Sequence, residues 1–392
     1  MQVVGFIWFL GICVGHAALL TLSINWWYSF ALPARLLSCM RLAHGGLVLL
    51  GLVAFTRAYL FPSATLYLLS SILYPLSSGT LGQSAAGAYA LLCGLIGLGY
   101  VPLLTLWRLG RGQPAALRSN HTATVDVASR LGYKPIGRGK YRMLAHLPGN
   151  EVFRVDFAER TLAVPDLPDA WDGLTILHLS DLHLCGTPDR EFYQEVMDLC
   201  SAWQPDLIAI TGDIVDSDHH HRWIVPTLGR LRWGVAAFAI LGNHDARRDP
   251  VLVRRRLRRL GIRVLTNSWE QLEVRGEALV VVGHEGPWFW PEPDLTACPQ
   301  GPFRLCLSHT PDNIHWARQQ NINLMLAGHN HGGQIRLPLV GSVIVPSRYG
   351  RRYDCGTFYE APTLLHVSRG LAGKEPVRYN CRPEVAKLVL RK

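Results

Sequence analysis

The stretch Leu174-Thr-Ile-Leu-His-Leu-Ser-Asp-Leu-His183 decides the architecture of this chain. An apolar run, Leu174 to Leu179, ends in a polar cluster, Ser180-Asp-Leu-His183. Three later stretches repeat the design. Leu207-Ile-Ala-Ile210 runs into Thr211-Gly-Asp213, Val235-Ala-Ala-Phe-Ala-Ile-Leu241 into Gly242-Asn-His-Asp245, and Leu324-Met-Leu-Ala327 into Gly328-His-Asn-His331. Segments with helical periodicity, such as Arg190 to Trp203 and Trp223 to Leu231, separate the first three. Strand, polar tip, helix, strand predicts an α/β sheet. Ligands bind such sheets at the carboxyl ends of the strands, so all these tips are expected on one edge.

The tips carry a particular chemistry. Asp181 and His183 are two apart, and in an extended segment residues i and i+2 point to the same side. His329 and His331 repeat that spacing. Asp213 and Asn243 each follow a glycine, which permits a tight turn and close approach. His309 follows the apolar run Phe303 to Leu307. A lone histidine near a strand end is usually a core or surface residue, and a lone Gly-Asp is usually a turn. The joint order of the tips is what argues for a site. Asp181, His183, Asp213, Asn243, His309, His329 and His331 offer oxygen and imidazole without thiolate, which suits Mn, Fe or Zn. They are too many for one tetrahedral ion. They suit two divalent metal ions bridged by a carboxylate and a hydroxide, about 3.5–4 Å apart.

These motifs resemble the calcineurin-like metallophosphoesterases. The likeness is greatest to membrane-anchored bacterial members with Ser-Asp-Leu-His at the first tip and Gly-His-x-His-Gly-Gly-Gln at the last, here Gly328 to Gln334. It extends through Ile335-Arg-Leu-Pro338, Val367-Ser-Arg-Gly370 and Tyr379-Asn-Cys-Arg-Pro383, and covers about Leu174 to Leu390. The resemblance implies a four-layer αββα sandwich, two central sheets flanked by helices. It implies that Asp181, His183 and His331 hold one metal, that Asn243, His309 and His329 hold the other, and that Asp213 bridges. His244 would face the phosphoryl oxygen or leaving group, Asp245 would orient His244, and Asp216 would stand behind the ligands. The expected chemistry is hydrolysis of a phosphodiester or pyrophosphate bond. A metal-bridging hydroxide attacks phosphorus in line, and His244, if protonated, neutralises the leaving group.

Outward from this domain the composition changes. From Met1 to Trp107 the only charged side chains are Arg35, Arg41 and Arg57. Val3 to Leu22, Gly45 to Phe61 and Ala85 to Trp107 are candidate spans of a hydrocarbon core about 30 Å thick. The first lacks a basic leader and a cleavage site, against a signal peptide. Trp26, Trp27 and Tyr28 stand where interfacial aromatics are expected. Leu66 to Leu76, broken by Ser70, Ser71 and Pro75, reads as interfacial or re-entrant. Arg57 reads as a snorkelling side chain near a span end, with a functional intramembrane charge as the alternative. Arginines in the first loop and after the third span, and none from Pro62 to Ser84, place the C-terminal domain in the cytoplasm by the positive-inside rule. The expected protein is multi-pass in a cell inner membrane. Its expected organisation is residues 1–109 as an all-α transmembrane region of about three helices, 110–172 as a linker and leading strands, and 173–392 as the catalytic domain.

The net charge of +10 favours anionic partners, membrane lipids and phosphate esters among them. No aromatic-interleaved basic stretch argues for nucleic acid, and no protein partner is implied. The nine cysteines, odd in number and without a CxxC pair, argue against a disulfide framework and a thiolate zinc site. Arg254-Arg-Arg-Leu-Arg-Arg259 on a helix could dock on anionic lipid headgroups or form a solvated face. His219-His-His221 reads as a surface loop rather than a metal site. Ser180 and Ser308 lie on no nucleophile elbow. Val282-Gly-His-Glu-Gly-Pro-Trp288 departs from relatives that carry an acidic residue straight after the glycine. Trp288-Phe-Trp-Pro-Glu-Pro293 is either a lip for a lipid substrate or a packed surface loop. Tethering favours a substrate in the bilayer, such as the lipid pyrophosphate UDP-2,3-diacylglucosamine. A broad-range phosphodiesterase and a non-catalytic membrane scaffold are the rivals.

Overall fold

The apolar runs do become strands, and they sort into two sheets. The computed structural model describes residues 2–60 and 81–392. The segment Leu66 to Leu76 and most of the uncharged second loop lie outside the described residues. Internal contacts divide the chain into two units, Met1–Gly112 and Gln113–Lys392.

In the N-terminal unit, Val3–Tyr28, Ala34–Leu60 and Ala85–Gly110 are helices long and apolar enough to cross a membrane. The third passes through a π-helical turn at Ile96–Tyr100. The first and third touch through glycine. A Cβ on Gly15 would lie 1.8 Å from the Cys93 carbonyl oxygen, and one on Gly97 1.9 Å from that of Gly11. Gly11 and Gly15 are spaced as in a small-xxx-small crossing, which lets two backbones approach. His16, the polar interruption of the first run, is buried and satisfied. Its Nδ1 meets the Tyr89 hydroxyl at 2.6 Å and its Nε2 the Leu47 carbonyl at 3.0 Å.

In the C-terminal unit, the first sheet has the order β1-β2-β15-β3-β4-β5-β6. These strands are Leu117–Asp126, Arg154–Ala163, Glu384–Arg391, Thr175–Leu179, Leu207–Thr211, Ala236–Ile240 and Arg263–Val264 respectively. The run from β3 to β6 is parallel, so its tips share one edge. The second sheet has the order β13-β14-β10-β9-β8-β7, comprising Gly356–Glu360, Thr363–Val367, Leu324–Ala327, Phe303–Ser308, Glu277–His284 and Trp269–Val274. Here β14, β10, β9 and β8 are parallel. A separate hairpin pairs β11, Arg336–Leu337, with β12, Gly341–Ser342. Strands β1 and β2 arise from the stretch expected to hold a linker and leading strands, and they extend the first sheet.

Period-two alternation explains the layering. Ile176, Phe238 and Ile240 from one sheet bury against Leu279, Leu305 and Leu326 from the other. The opposite face of the first sheet, with Leu177, Ile208 and Ile210, packs on Phe192, Val196 and Met197 of the helix Arg190–Ser201. The opposite face of the second sheet, with Val282, Cys306 and Met325, packs on Ile314 and Ala317 of the helix Ile314–Gln319. The result is helix, sheet, sheet, helix. Each such fully buried aliphatic side chain contributes roughly 1.5–3 kcal/mol. The helix Arg190–Ser201 starts at Asp189, whose carboxylate accepts the Phe192 N–H at 3.0 Å, a cap whose loss costs about 1 kcal/mol.

The arginine-rich helix, Pro250–Arg259, differs from its sequence reading. Val253, Arg254 and Leu257 all face inward. Arg254 forms a buried two-point ion pair with Glu285 at 2.8 and 2.7 Å, so it belongs to neither a docking stripe nor a solvated face.

Candidate metal centre

The seven expected ligands stand on the carboxyl edges of both sheets. Asp181 and His183 follow β3, Asp213 follows β4, and Asn243 follows β5. From the second sheet, His309 follows β9, and His329 and His331 follow β10. The edges meet closely. A Cβ on Gly328 would lie 1.8 Å from Ser180 Oγ.

The tips are not extended, as the sequence spacing suggested. Asp181, His183, Asp213, His329 and His331 all have φ between 45° and 70°. Left-handed backbone at a non-glycine residue costs of order 1–3 kcal/mol and persists only where its surroundings enforce it. Here neighbouring tips enforce it. The Asp181 N–H donates to Gly212 O at 3.0 Å and the His183 N–H to Asp213 O at 2.9 Å. The kinks, rather than a shared strand face, turn both side chains of each pair inward.

Asp213 is the hub. Its Oδ2 lies 3.5 Å from His183 Nε2, 3.3 Å from His309 Nε2 and 3.9 Å from His244 Nε2. Asp181 Oδ1 lies 3.5 Å from His331 Nε2. Asn243 Oδ1 sits 3.1 Å from His309 Nε2. Among the described residues, the clusters able to hold an ion are Asp181 with His183 and His331, His183 with Asp213 and His244, and Asp213 with His309 and His329. The histidines at 219–221 enter none of them.

The ring orientations fit metal ligation. His309 Nδ1 faces the Thr211 carbonyl at 2.7 Å, and His331 Nδ1 faces the Ala372 carbonyl at 3.0 Å. Each carbonyl fixes the proton on Nδ1 and leaves Nε2 to point inward. His329 Nε2 is buried and has no hydrogen-bond partner among the described residues. An orphaned buried nitrogen between two carboxylates is the expected mark of a ligand position.

Electrostatics follow from this crowding. Burial alone would raise the Asp213 carboxyl, but the charges of His309 and His244 hold it well below the usual range. Burial opposes charge on His309 too, yet Asp213 lifts its imidazole to about 9. His183, held between Asp216 and Asp181, is raised well above the ordinary histidine value despite its burial. Burial instead holds His331 down to about 3.

His244 is oriented otherwise than expected. Asp245 accepts the backbone N–H groups of Gly242, Ile214 and Val215, at 2.9–3.1 Å. It therefore ties the β4 and β5 tips together and does not contact the His244 ring. The group on His244 Nδ1 is Asp216, through Oδ1. Asp216 Oδ2 simultaneously meets His183 Nδ1 at 2.9 Å.

Three residues take supporting roles that the sequence reading did not assign. Glu285 accepts the Leu241 N–H at 2.7 Å, and with Arg254 it pins the start of the Asn243 tip. Glu285 is the acidic residue of the run that departs from the family pattern, with His284 between it and Gly283. Arg378, fully buried, donates to the carbonyls of His331, Arg369 and Ala372 and holds the His331 turn. No sequence signal marks Arg378. Trp288 packs tilted and edge-on against two of the candidate ligands, its ring centroid 4.9 Å from that of His329 and 5.4 Å from that of His309. The aromatic segment is thus divided: Trp288 covers the site, Phe289 packs on the core and on Arg254, and Trp290 is exposed.

Comparison with known proteins agrees with this geometry. Residues 174–333 match the family of calcineurin-like phosphoesterases. The phosphodiesterase YaeI of Escherichia coli is 32% identical over 223 residues, covering 55% of this chain and 81% of YaeI. The chain belongs to the calcineurin-like metallophosphoesterases. A transmembrane protein with a metallophosphoesterase domain from Bos taurus is 26% identical over 334 residues, 78% of this chain and 72% of that protein. The UDP-2,3-diacylglucosamine pyrophosphatase LpxG of Chlamydia muridarum is 25% identical over 277 residues, 54% of this chain and 82% of LpxG. This metallophosphoesterase is a phosphoric ester hydrolase of a metal-dependent family, and its three apolar helices are shared in kind with relatives named as transmembrane proteins.

Proposed function

We propose that this metallophosphoesterase hydrolyses a phosphodiester or pyrophosphate bond in a lipid-linked substrate, and that two divalent ions would be held at its tips with Asp213 contributing to both sites. The observation that carries the reading is the convergence of His183, His309 and His244 on one oxygen of Asp213. One ion would be held by Asp181, His183 and His331, the other by Asn243, His309 and His329. The donor set of carboxylate, amide and neutral imidazole suits Mn, Fe or Zn.

Bound ions supply Lewis-acid polarisation of the phosphoryl oxygens and a water acidic enough to act as nucleophile. The chain's own residues do the rest. His244 has a side chain 21% exposed, so it is reachable from solvent and from substrate. Asp216 holds the Nδ1–H, so that the imidazolium form can give its Nε2 proton to the leaving oxygen and return to neutral imidazole. Trp288 screens the ligand imidazoles from water.

The three apolar helices favour a substrate in the bilayer, and the LpxG likeness suggests the class, a lipid pyrophosphate such as UDP-2,3-diacylglucosamine. Loop arginines favour a multi-pass protein of an inner membrane with its catalytic domain in the cytoplasm. The deciding experiment assays the purified full chain with Mn against a lipid pyrophosphate and a water-soluble diester side by side. Preference for the lipid supports the reading. Preference for the soluble diester replaces it with a broad-range phosphodiesterase. Folded protein that binds no metal and turns over neither substrate would be a scaffold.

A further inference from the structure

The β11–β12 hairpin leaves directly from the ligand turn, and its surface is apolar. Ile335, Leu337, Leu339 and Ile344 are all exposed, Leu339 by 77% and Ile344 by 62%. Ile335 and Leu337 stand two apart at the strand, and Leu339 follows in the turn with left-handed backbone, φ 62°. Contiguous exposed aliphatic surface on a soluble domain marks an interaction site.

The hairpin is held firmly at its root. Ile335 pairs with Tyr379, and the Arg336 N–H donates to Tyr379 O at 3.0 Å. Arg336 reaches Asp354 at 3.0 Å and the Gly332 carbonyl at 3.1 Å, beside the ligand His331. Ser342 also bonds Asp354, at 2.5 Å. Whatever the tip engages is therefore positioned relative to the metal centre.

The surroundings identify what it engages. Residues 335–355 contain Arg336, Arg348, Arg351 and Arg352; Arg336 pairs with Asp354 at 3.0 Å, Arg348 with Asp312 at 3.7 Å and Arg352 with Glu360 at 2.9 Å, the last two with about half of the arginine still open to solvent. The Arg351 guanidinium reaches the tip itself, donating to Val340 O at 2.7 Å. An aliphatic tip collared by arginine matches an anionic lipid surface, with acyl chains for the tip and headgroup phosphates for the collar. The same chain carries three helices of membrane-spanning length.

We infer that the 335–344 hairpin docks in the surface of an anionic lipid bilayer and delivers lipid-borne substrate to the metal centre. The delivery half of this inference rests on the lipid-linked function proposed above. The docking half does not.

The test uses the full chain in vesicles of phosphatidylcholine and phosphatidylglycerol, with photo-crosslinking p-benzoylphenylalanine in place of Leu339. Lipid adducts are expected by mass spectrometry. Crosslinks to a second copy, or no adduct, would overturn docking. So would lipid adducts at Val251, on the arginine-rich helix, with none at Leu339. The pair Leu337→Ser and Leu339→Ser should raise the KM for lipid pyrophosphate about tenfold or more, the scale of one exposed leucine withdrawn from apolar surroundings. Hydrolysis of bis-p-nitrophenyl phosphate should be unchanged, since neither residue touches the ligands. Lipid adducts without lipid preference would keep docking and refute the lipid-substrate reading. Lipid preference without adducts would refute docking alone.

Discussion

His178 Nδ1 lies 2.9 Å from His366 Nδ1, and both imidazoles are fully buried behind the metal centre. Arg160 donates to His366 Nε2 at 2.7 Å, so that nitrogen is unprotonated. His366 then carries its proton on Nδ1 and gives it to His178, whose Nε2–H donates to Thr211 Oγ1 at 2.9 Å. Thr211 is the residue whose carbonyl fixes His309. The tautomers of two histidines are thereby set by one arginine, itself paired with Glu384 at 2.7 Å.

This relay predicts a pH dependence of stability. Burial holds His178 down to about 4 and His366 well below the ordinary value. The unfolded chain takes up protons near pH 6.5 that the folded chain refuses. The contribution is therefore complete above pH 6.5 and is lost as pH falls towards 4, at up to about 1.4 kcal/mol per pH unit for each histidine. Denaturant titrations of the detergent-solubilised chain between pH 7 and 4.5 should show this slope. His178→Gln should flatten it, and an unchanged slope would count against the assignment.

Metal loading should release protons. In the metal-free protein His309, at about 9, and His183, raised well above its ordinary value, both carry charge at pH 7. A ligating imidazole cannot keep a proton on its donor nitrogen, so loading with Mn at pH 7 should expel about two. Calorimetry in buffers of different ionisation enthalpy reads the number. A value near zero would mean that these two histidines do not ligate.

Asp213→Ala should abolish turnover and metal retention together. His244→Ala should retain metal and lose about 10²–10⁴-fold in kcat, the scale of general acid catalysis. The loss should shrink for a p-nitrophenyl leaving group, which departs without a proton. Equal losses for alkyl and p-nitrophenyl esters would argue against a proton-donor role.

Glu285→Ala should destabilise by about 3–5 kcal/mol, because it strands the buried Arg254 guanidinium. Removing both charges, as Arg254→Met with Glu285→Met, should recover much of that loss. Activity should fall in both variants, because the Leu241 N–H that aligns the Asn243 tip loses its acceptor. Thermal unfolding and kcat, measured on the same samples, separate the two effects.

Much of this was legible from sequence because tip chemistry and strand periodicity are local. Asp181 through His331 could be named before any coordinates. What was not legible depends on contacts between distant segments. The left-handed kinks at the candidate ligands are imposed by neighbouring tips rather than by residue type. Asp245 looked like the partner of His244 because it is adjacent in sequence. Space instead gives that contact to Asp216 and turns Asp245 to three backbone amides. Arg254 looked like one of a surface series until the burial of Glu285 claimed it. The hairpin at 335–344 passed as part of a family motif, since exposure cannot be read from a string of aliphatic residues.

The candidate ligands come from both halves of the sandwich. Asp181, His183, Asp213 and Asn243 stand on one sheet, and His309, His329 and His331 on the other. Ions shared between them would staple the sheets together across their seam. By mass action, metal at a hundred times its dissociation constant would then favour the folded state by about 2.7 kcal/mol. Chelation would act first on the seam between the sheets, before either sheet loses its own strand pairing. For this fold the cofactor would be a fastener as well as a reagent.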